Sequence, residues 1–353
     1  MPKTYILHQD TDNGYTNKNI SYLLGFNPTL GTVIYNDEKV ILIFDPRYFD
    51  KVKMIKRSVF RRFFMNDTLD VKFILLNLET EDKIEKYLKG EDIILEKDIP
   101  TYFYKNIKKF NPKSISFVDN LFFEKRIIKK QREISYIKNA IKIINKTFSI
   151  IENMAKNGEL IGKREIEVRR LIQKTILDLG GEGESFSSIV AFGKNSSIPH
   201  HEAGNTKIGN GPLLIDTGAI YKGYSSDFSR TIWVGEKTHM YDEFRKVKAI
   251  VQKAHDIGIK YIKDYFKNND TNLELTGKDL DKVIRDYIDN AGYGKNFTHS
   301  SGHGVGLQIH EAPWISDRKG NQLIKKGMVF TVEPGIYLPG KFGIRIEDIV
   351  ILV

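Results

Sequence analysis

Five ionisable residues lie inside apolar or glycine-rich, strand-like segments, and this feature limits the possible folds of the chain more than any other. They are Asp216, Asp227, His303, Glu333 and Glu347. Burying four carboxylates and an imidazole is costly unless a cation neutralises them. Two divalent metal ions would do so, and the sequence therefore predicts a buried dinuclear metal site and a metallohydrolase.

The spacing of the two aspartates predicts that they face each other on a hairpin. When two residues oppose each other in an antiparallel hairpin, their residue numbers add up to the same total for every pair. For Asp216 and Asp227 this sum centres the turn between residues 221 and 222. A two-residue turn there, favoured by the adjacent Gly223, would place the two Cβ atoms about 4.5–5.5 Å apart. The two carboxylates would repel each other unless they share a cation.

The two glutamates repeat this arrangement. If Glu333 and Glu347 oppose each other, the turn between them is centred on Gly340, within residues 338–341. A three-residue loop whose glycine adopts a positive φ fits that centre. Two hairpins that each present a pair of acids are unsuited to a hydrophobic core and well suited to a dinuclear metal site.

His303 lies in a glycine-rich frame that suits a buried ligand. Gly302, Gly304 and Gly306 surround it, and glycine lets neighbouring groups approach the backbone closely. Most histidines are satisfied core or surface residues, but the glycines and the two acid pairs together favour a metal ligand here. The chain has no cysteine, which leaves oxygen and imidazole as the available ligands.

Three further residues are candidates for a role beside the metals. His310 follows the glycine-framed histidine by seven residues and is expected on the same strand segment. His200 lies in a Ser-Ile-Pro-His-His loop, where the adjacent His201 is an equal alternative. Arg345 shares a strand face with the second glutamate, because side chains alternate along a strand. A surface position or an indirect role is the alternative for each.

Several other chemistries are excluded by their motifs. His310-Glu311 is not a zincin motif, because the second histidine is missing and Pro313 would break the helix. Residues 302–306 lack the Gly-x-Gly-x-x-Gly spacing of a dinucleotide-binding turn, and no Gly-x-Ser-x-Gly elbow marks a serine hydrolase. The net charge of +10 is interpreted as a lysine-rich solvated surface rather than a nucleic-acid site.

The length of 353 residues predicts two domains. The expected elements of the first are strands at residues 32–35, 40–44, 72–76 and 92–95 and a helix at 81–88. This alternation indicates a mixed sheet that carries helices, and no catalytic cluster is recognised in it. The basic segment 124–130 marks the boundary, which divides the chain into residues 1–124 and 125–353.

The second domain is expected to surround the ligand-bearing strands with helices. Isoleucines that recur every three or four residues from Ile134 to Ile151 predict a long helix. Further elements are expected as helices at 164–179, 241–266 and 277–290 and a polar loop at 267–272. No apolar stretch reaches the roughly 18 residues of a membrane span, and a cytoplasmic location is the default expectation.

At these five acid and histidine positions the chain resembles the pita-bread metallopeptidase family, which includes methionine aminopeptidase, aminopeptidase P, prolidase and creatinase. The order and spacing Asp, Asp, His, Glu, Glu carry the resemblance, which extends over residues 129–353. It implies an α/β (α+β) fold, with a pita-bread catalytic domain at 125–353 preceded by a smaller creatinase-type N-terminal α/β domain at 1–124. It also implies that the five residues are the metal ligands.

The resemblance implies further roles and a reaction. It makes Glu333, His310, His200 and Arg345 catalytic residues, and the arginine marks the proline-specific branch of the family. The N-terminal domain argues against methionine aminopeptidase, and the intact ligands argue against creatinase. What is left is an Xaa-Pro dipeptidase (prolidase). Aminopeptidase P acting on longer peptides is the alternative, and a non-catalytic member that binds protein or nucleic acid is a more remote one.

The implied cofactors are two divalent metal ions per chain, with Mn²⁺ or Co²⁺ expected before Zn²⁺ or Fe²⁺. The expected partners are Xaa-Pro peptide substrates and a second copy of the chain in a homodimer, with no nucleic acid and no membrane. In the expected reaction Glu333 relays a proton to the leaving imino nitrogen. His310 or His200 stabilises the oxyanion that forms on the carbonyl before proline.

Overall fold

The computed structural model describes residues 3–77, 80–267 and 274–353 of the chain. The chain separates into two compact units, Met1–Phe123 and Glu124–Val353. The first unit is a mixed sheet with helices on it, and the second combines antiparallel sheets with long helices. Every residue singled out in the sequence as a candidate for the metal site belongs to the second unit.

A six-stranded sheet forms the first unit. Its strands are β1 (Lys3–Asp10), β2 (Leu30–Tyr35), β3 (Lys39–Phe44), β4 (Asp70–Leu75), β5 (Asp92–Glu96) and β6 (Ser114–Val118). Its helices are α1 (Lys18–Leu24), α2 (Pro46–Lys53), α3 (Arg57–Phe64), α4 (Thr80–Leu88) and α5 (Thr101–Lys109). The strand order is β4-β3-β2-β1-β5-β6, antiparallel within β1-β2-β3 and parallel at the other pairings.

Both faces of this sheet are buried along its central strands, because side chains alternate along each strand and helices lie on either side. Val33, Leu42 and Phe44 pack into an apolar cluster with α1, α2 and α3. Their neighbours Ile34 and Ile41 pack into the opposite cluster, with α4 and α5. The predicted mixed sheet, its four strands and its helix are confirmed to within two residues, whereas β1, β6 and the other helices were not predicted.

The helices of the second unit agree with the prediction. They follow a short helix at the boundary, α6 (Phe123–Ile127), and are α7 (Gln131–Lys156), α8 (Glu165–Asp178), α9 (Tyr241–Lys267) and α10 (Gly277–Asn290). The apolar stripe of α7 buries Ile137, Ile144 and Ile151 completely. Lys267 ends α9, and the rest of the predicted loop at 267–272 falls outside the described residues. No helix in the described ranges has the length and apolar composition that a membrane span requires.

The strands of the second unit are short and antiparallel. They are β7 (Gly183–Glu184), β8 (Ile189–Phe192), β9 (Gly211–Thr217), β10 (Ala219–Tyr221), β11 (Tyr224–Ser225), β12 (Phe228–Val234), β13 (Gly302–Gly304), β14 (Glu311–Ile315), β15 (Val329–Val332), β16 (Gly335–Leu338), β17 (Phe342–Arg345) and β18 (Asp348–Ile351). They form sheets of order β11-β10-β7, β12-β9-β8, β14-β13-β15-β18 and β16-β17. Helices α7 and α8 pack against β8, β9 and β12 in one apolar core.

The aspartate hairpin has a different turn from the predicted one. Tyr221 pairs with Tyr224 across a two-residue turn at Lys222 and Gly223, whose φ angles are 53° and 78°. Positive φ at both turn residues matches the twist of a hairpin and favours glycine in the second position. The predicted turn at residues 221–222 is therefore wrong by one position, because it left the glycine outside the turn.

This shift changes which residues oppose each other. Asp216 pairs with Ser229 on β12, and Asp227 lies two residues before Ser229 in the chain. The predicted direct opposition of the two aspartates is wrong. A displacement of two residues nevertheless leaves both side chains on one face of the ribbon, as diagonal neighbours whose Cα atoms are typically about 7–8 Å apart.

The glutamate hairpin has the register that the sequence predicts. Leu338 pairs with Phe342 around a three-residue loop centred on Gly340, which has the expected positive φ of 74°. The N–H of Lys341 closes the loop by donating to the carbonyl oxygen of Leu338 at 2.9 Å. The predicted length and centre of this loop are confirmed.

The same register runs through two sheets and places the glutamates at their junction. Val332 pairs with Asp348 in one sheet, and β16 and β17 continue the pairing in the other. Glu333 and Glu347 are the next residues after the Val332–Asp348 pair in the direction of the turn, so they oppose each other as predicted. The N–H of Glu347 also donates to the carbonyl oxygen of Ser229 at 3.1 Å, which joins this hairpin to the aspartate hairpin.

Candidate metal centre

The five predicted ligands lie on or directly beside strands of the second unit. Asp216 lies in β9, Asp227 precedes β12, His303 lies in β13, Glu333 follows β15, and Glu347 precedes β18. One ligand atom from each of Asp227, His303 and Glu347 lies within 4.8 Å of the other two. Asp216 and Glu333 border this group, and the charge of each acts on Asp227. The two hairpins and β13 thus bring all five residues into one cluster.

The ring of His303 is oriented as a metal-binding histidine would be. Its Nδ1 is 3.1 Å from the carbonyl oxygen of Gly304. A carbonyl oxygen can only accept, so Nδ1 carries the proton and Nε2 keeps its lone pair. Nε2 lies 3.5 Å from Oδ2 of Asp227 and 3.4 Å from Oε1 of Glu333. The free lone pair therefore faces the carboxylates, where a shared cation would sit.

Two carboxylate oxygens in the cluster are buried without a hydrogen-bond partner in the described part of the chain. These are Oδ1 of Asp216 and Oε1 of Glu347. The second oxygen of each is satisfied, since Asp216 Oδ2 accepts from Arg345 and Glu347 Oε2 accepts from Ser229 Oγ at 2.6 Å. A buried carboxylate oxygen left unsatisfied is costly, and a divalent cation is the partner that this oxygen-rich donor set accepts best. The residues present fit the implied metal ions.

The electrostatics of the cluster also favour a cation. Burial raises the pKa of Asp227 well above its ordinary value, and the charges of Asp216 and Glu333 raise it further. Burial and the neighbouring Asp227 likewise raise the pKa of Glu347. Burial raises the pKa of Glu333 to about 8, although Arg345 opposes the shift. Positive charge at the cluster does not offset the raised pKa values of these three acids, and bound cations would lower them.

We expect the metal-free protein to lose stability as the pH rises from about 7 to about 9. The native pKa of Glu333, about 8, exceeds its unfolded value of 4.5. From about pH 4.5 until about one unit above pH 8 the folded state binds more protons than the unfolded state, so the free energy of unfolding falls as pH rises. The slope approaches about 1.4 kcal/mol per pH unit for each such group. Denaturation in a chelator across this range measures it.

The metal-loaded protein is the control for this pH experiment, because ligation keeps the carboxylates ionised and removes the slope. Burial lowers the pKa of His303 to about 4 and that of His299 to about 3. Both are below the ordinary histidine value of 6.5, so these groups act in the opposite direction and below the chosen window. A metal-free protein whose free energy of unfolding stays flat or rises from pH 7 to 9 contradicts the expectation.

Arg345 links the metal cluster to a buried chain of polar side chains. Its Nη2 donates to Oδ2 of Asp216, its Nε donates to Oγ of Ser229 at 3.0 Å, and its Nη1 donates to the hydroxyl of Tyr337 at 2.6 Å. The guanidinium is almost fully buried. The arginine therefore supplies a fixed positive charge beside the acids, on the strand face that the sequence predicts.

His310 does not lie on the same strand as His303, so this prediction is wrong. β13 ends at Gly304 and β14 begins at Glu311, and the pairing between them shifts register after His303. His310 is the last residue of the intervening loop. The loop folds back so that the ring centroids of His303 and His310 are 4.3 Å apart. The two histidines are neighbours through the loop rather than through strand alternation.

The structure distinguishes His200 from His201, which the sequence leaves equivalent. His201 Nε2 is 2.9 Å from Oε2 of Glu165 at the start of α8. His200 lies near His310 and His299, because a positive charge on it would lower the pKa values of both. The carbonyl oxygen of the preceding residue, Pro199, accepts from Arg345 Nη1 at 3.4 Å. His200 is thus the histidine available at the site.

Sequence reasoning missed His299 and Tyr337, which both belong to the site. His299 Nδ1 donates to the carbonyl oxygen of Ser300 at 2.8 Å, and its Nε2 is 2.8 Å from the hydroxyl of Tyr337. That hydroxyl donates to His299 and accepts from Arg345. A signal existed for the tyrosine: it lies four residues after Glu333, and even spacing puts both on one strand face. No comparable signal points to His299.

The chain is similar to several known peptidases. The family model for metallopeptidase family M24 matches residues 135–353. An Xaa-Pro dipeptidase from Pyrococcus furiosus is 33% identical over 338 residues, which cover 95% of this chain and 88% of the relative. The solved structure of an Xaa-Pro dipeptidase from Bacillus anthracis matches with a TM-score of 0.81 and 31% identity, covering 100% of this chain and 90% of that chain. The solved structure of an X-Pro aminopeptidase from Thermotoga maritima matches with a TM-score of 0.78 and 30% identity, covering 99% of this chain and 93% of that chain.

These similarities extend over nearly the whole chain, including its N-terminal part. They confirm the expected α/β fold, a pita-bread domain preceded by a smaller creatinase-type α/β domain. They also confirm a hydrolase that cleaves peptides with the help of divalent metal, in agreement with the acid and histidine cluster. The chain belongs to metallopeptidase family M24.

Proposed function

We propose that the protein is an Xaa-Pro dipeptidase, a prolidase, that depends on a dinuclear metal centre. The observation that carries the proposal is the clustered donor set, in which one oxygen of Asp216 and one of Glu347 have no hydrogen-bond partner among the described residues. The relatives named Xaa-Pro dipeptidase support the substrate class. Proline offers no N–H at the scissile bond, so a pocket for the ring has to replace the usual grip on that hydrogen.

The proposed ligands of the two metal ions are the five clustered residues. They are Asp216, Asp227, His303, Glu333 and Glu347. We propose Mn²⁺ or Co²⁺ as the ions, with Zn²⁺ or Fe²⁺ as alternatives, because oxygen and imidazole donors suit all four. Such ions, when bound, lower the pKa of water and polarise a carbonyl oxygen. The four carboxylates supply the negative charge that two dications require.

Glu333 is the proposed proton carrier of the site. It is the least buried of the four carboxylates in the cluster, so a substrate can approach it more readily than the other three. A carboxylate can take a proton from the attacking water as a base and then release that proton to a leaving group as an acid. In the proposed reaction it passes the proton to the imino nitrogen of the departing proline. Thr331 Oγ1, 3.4 Å from Oε1 of Glu333, helps to orient the group.

His310 and His200 are the proposed donors to the substrate carbonyl. Burial lowers the pKa of His310 below its ordinary value, which keeps its imidazole neutral and able to donate one N–H. A neutral donor placed beside a developing oxyanion stabilises the transition state more than the ground state. Arg345 is proposed to balance the negative charge of the site through Asp216, as its hydrogen bonds indicate.

Aminopeptidase P is the second candidate, because the Thermotoga maritima X-Pro aminopeptidase matches this chain with similar coverage and identity. A non-catalytic binding role is disfavoured by the intact set of donor residues. We further propose that the catalytic domain is residues 125–353 and the creatinase-like domain residues 1–124. A homodimeric, cytoplasmic enzyme is proposed on the family resemblance, and size-exclusion chromatography with light scattering tests the dimer.

The proposal predicts hydrolysis of Ala-Pro that is lost on chelation and restored by Mn²⁺ or Co²⁺. As a dipeptidase the enzyme should prefer Ala-Pro over Ala-Pro-Ala by at least about tenfold in kcat/KM, a difference of about 1.4 kcal/mol in transition-state binding. Ala-Ala is the control for proline specificity. A preference for the tripeptide selects the aminopeptidase instead, and full activity in the presence of chelator refutes the metal dependence.

A further inference from the structure

A loop anchored at both ends carries His200. It leaves β8 at Phe192, runs through a short 3-10 helix (Gly193–Ser197) and continues past the Pro-His-His segment to Gly204. Its outer part rests on β17, since the N–H of Gly343 donates to Ser196 Oγ at 2.9 Å. Its tip reaches Arg345 through the carbonyl oxygen of Pro199. The position of His200 therefore depends on what holds the two ends of this loop.

Glu165 holds both ends. This first residue of α8 is fully buried, and it takes no part in the metal cluster. Its Oε1 accepts from the N–H of Phe192 at 2.8 Å and from Asn195 Nδ2 at 2.9 Å, at the beginning of the loop. Its Oε2 accepts from His201 Nε2 at 2.9 Å and from the N–H of Gly204 at 3.2 Å, at the end. One carboxylate thus closes the loop with four hydrogen bonds.

The pairing with His201 also distinguishes the two adjacent histidines. His201 is turned toward α8 by its bond to Glu165, and the adjacent His200 is left to point elsewhere. Only an acceptor-only group suits this position, because all four neighbours are donors. Glutamine has nearly the same size but would present its NH₂ group to at least one of these donors, which leaves a buried N–H unpaired.

We propose that Glu165 is a positioning residue that sets the place of His200 at the substrate through His201 and the loop ends. This inference rests on the proposed function, in which His200 contacts the scissile carbonyl. Displacing a hydrogen-bond donor at the active site by about 1 Å can lower the reaction rate about 100-fold. Because Gly343 and Arg345 also hold the loop, we expect Glu165→Gln to leave it folded but to hold His200 less precisely.

The test is a double-mutant cycle between Glu165 and His200, measured on the Mn²⁺-loaded enzyme with Ala-Pro. Glu165→Gln is expected to lower kcat/KM by about 10–100-fold. His200→Ala is expected to lower it at least as much. In the His200→Ala background, Glu165→Gln should have almost no further effect, because it acts through the missing imidazole. His201→Gln, which keeps an N–H donor, should retain more activity than His201→Leu.

Glu167→Gln is the matched control. Glu167 lies in the same first turn of α8 and accepts from the N–H of Arg164 at 2.7 Å and from its Nη2 at 3.0 Å, but its side chain is partly exposed and has no bond to the loop. Its substitution should leave kcat/KM within about twofold, as expected of a surface change. A drop equal to that of Glu165→Gln would show that α8 stability alone is responsible, and would overturn the inference.

Two outcomes separate the inference from the proposed function. If His200→Ala lowers hydrolysis and Glu165→Gln lowers it equally in both backgrounds, the inference is wrong and the role of His200 stands. If His200→Ala leaves hydrolysis unchanged, the role of His200 is wrong and the inference falls with it. An activity-independent readout is NMR of protein labelled with ¹⁵N-histidine. There Glu165→Gln should move the ring signals of His200 and His201, and unchanged signals would overturn the inference.

Discussion

Replacing Glu347 with glutamine is expected to lower peptide hydrolysis by about 10³-fold or more. A bound metal ion supplies several kcal/mol of transition-state stabilisation, and each 1.4 kcal/mol corresponds to a factor of ten in rate. Glu347 is the most buried acid of the cluster, 1% exposed, and its Oε1 has no other partner in the described residues. The substitution therefore removes the negative charge of a proposed metal ligand whose Oε1 no other described residue contacts through a hydrogen bond.

The same substitution should stabilise the metal-free protein. Burial and the neighbouring acids Asp227, Glu333 and Asp216 raise the pKa of Glu347, so its charged form is unfavourable there without a cation. A neutral amide avoids that cost and can still accept from Ser229, for an expected gain of about 1–3 kcal/mol near pH 8. Activity and metal-free stability thus move in opposite directions, which a merely damaged protein would not show.

Metal content, hydrolysis of Ala-Pro and chemical denaturation in chelator measure these effects of Glu347→Gln. Glu243→Gln is a suitable control, because this glutamate lies in the first turn of α9 and makes a surface ion pair with Lys341 at 2.8 Å. That change should alter neither property appreciably. A Glu347→Gln protein that binds the full complement of metal and retains wild-type hydrolysis would remove Glu347 from the ligand set.

Replacing Glu333 with glutamine is expected to lower kcat by about 10²–10⁴-fold, the usual contribution of a general acid or base. The amide cannot carry the proton to the leaving nitrogen. KM should change much less than kcat, because the pocket for the substrate is not altered. Glu333→Asp keeps a carboxyl group on a shorter side chain and should fall between glutamine and wild type.

Steady-state kinetics on protein with measured metal content test Glu333→Gln. Metal content is essential here, because Glu333 Oε1 lies 3.4 Å from His303 Nε2 and is itself a proposed ligand. Lower turnover at equal metal content supports the role in proton transfer. Near-normal hydrolysis of Xaa-Pro peptides by metal-loaded Glu333→Gln would exclude that role, whereas complete loss of metal would assign Glu333 to ligation alone.

Local sequence rules were sufficient for the glutamate hairpin. A loop of three residues centred on Gly340 and strict alternation along both strands predict its register, and the observed pairing of Leu338 with Phe342 agrees. For the aspartate hairpin, opposing the two aspartates directly placed the predicted turn one residue too early. The observed turn lies at Lys222 and Gly223. Both residues have positive φ there, which a glycine in the second position favours.

Long-range contacts explain the remaining differences. His310 reaches His303 because the loop after Gly304 folds back, which strand alternation does not describe. The choice between His200 and His201 depends on Glu165, a residue more than thirty positions earlier in the chain. His299 joins the site through Tyr337, 38 residues away in sequence. Such pairs leave no periodic signal in a single sequence.

The sequence by itself determined the four long helices of the second unit, the glutamate hairpin and the choice of acidic residues for the candidate cluster, because these follow from periodicity, glycine positions and the cost of burying charge. The tertiary structure alone decided which carboxylate oxygens have no hydrogen-bond partner among the described residues, which of the two adjacent histidines bonds Glu165, and how Arg345 connects Asp216 to Tyr337. The physical reason is distance along the chain. Hydrogen bonds between remote segments depend on how sheets and loops pack, and packing is a property of the whole unit.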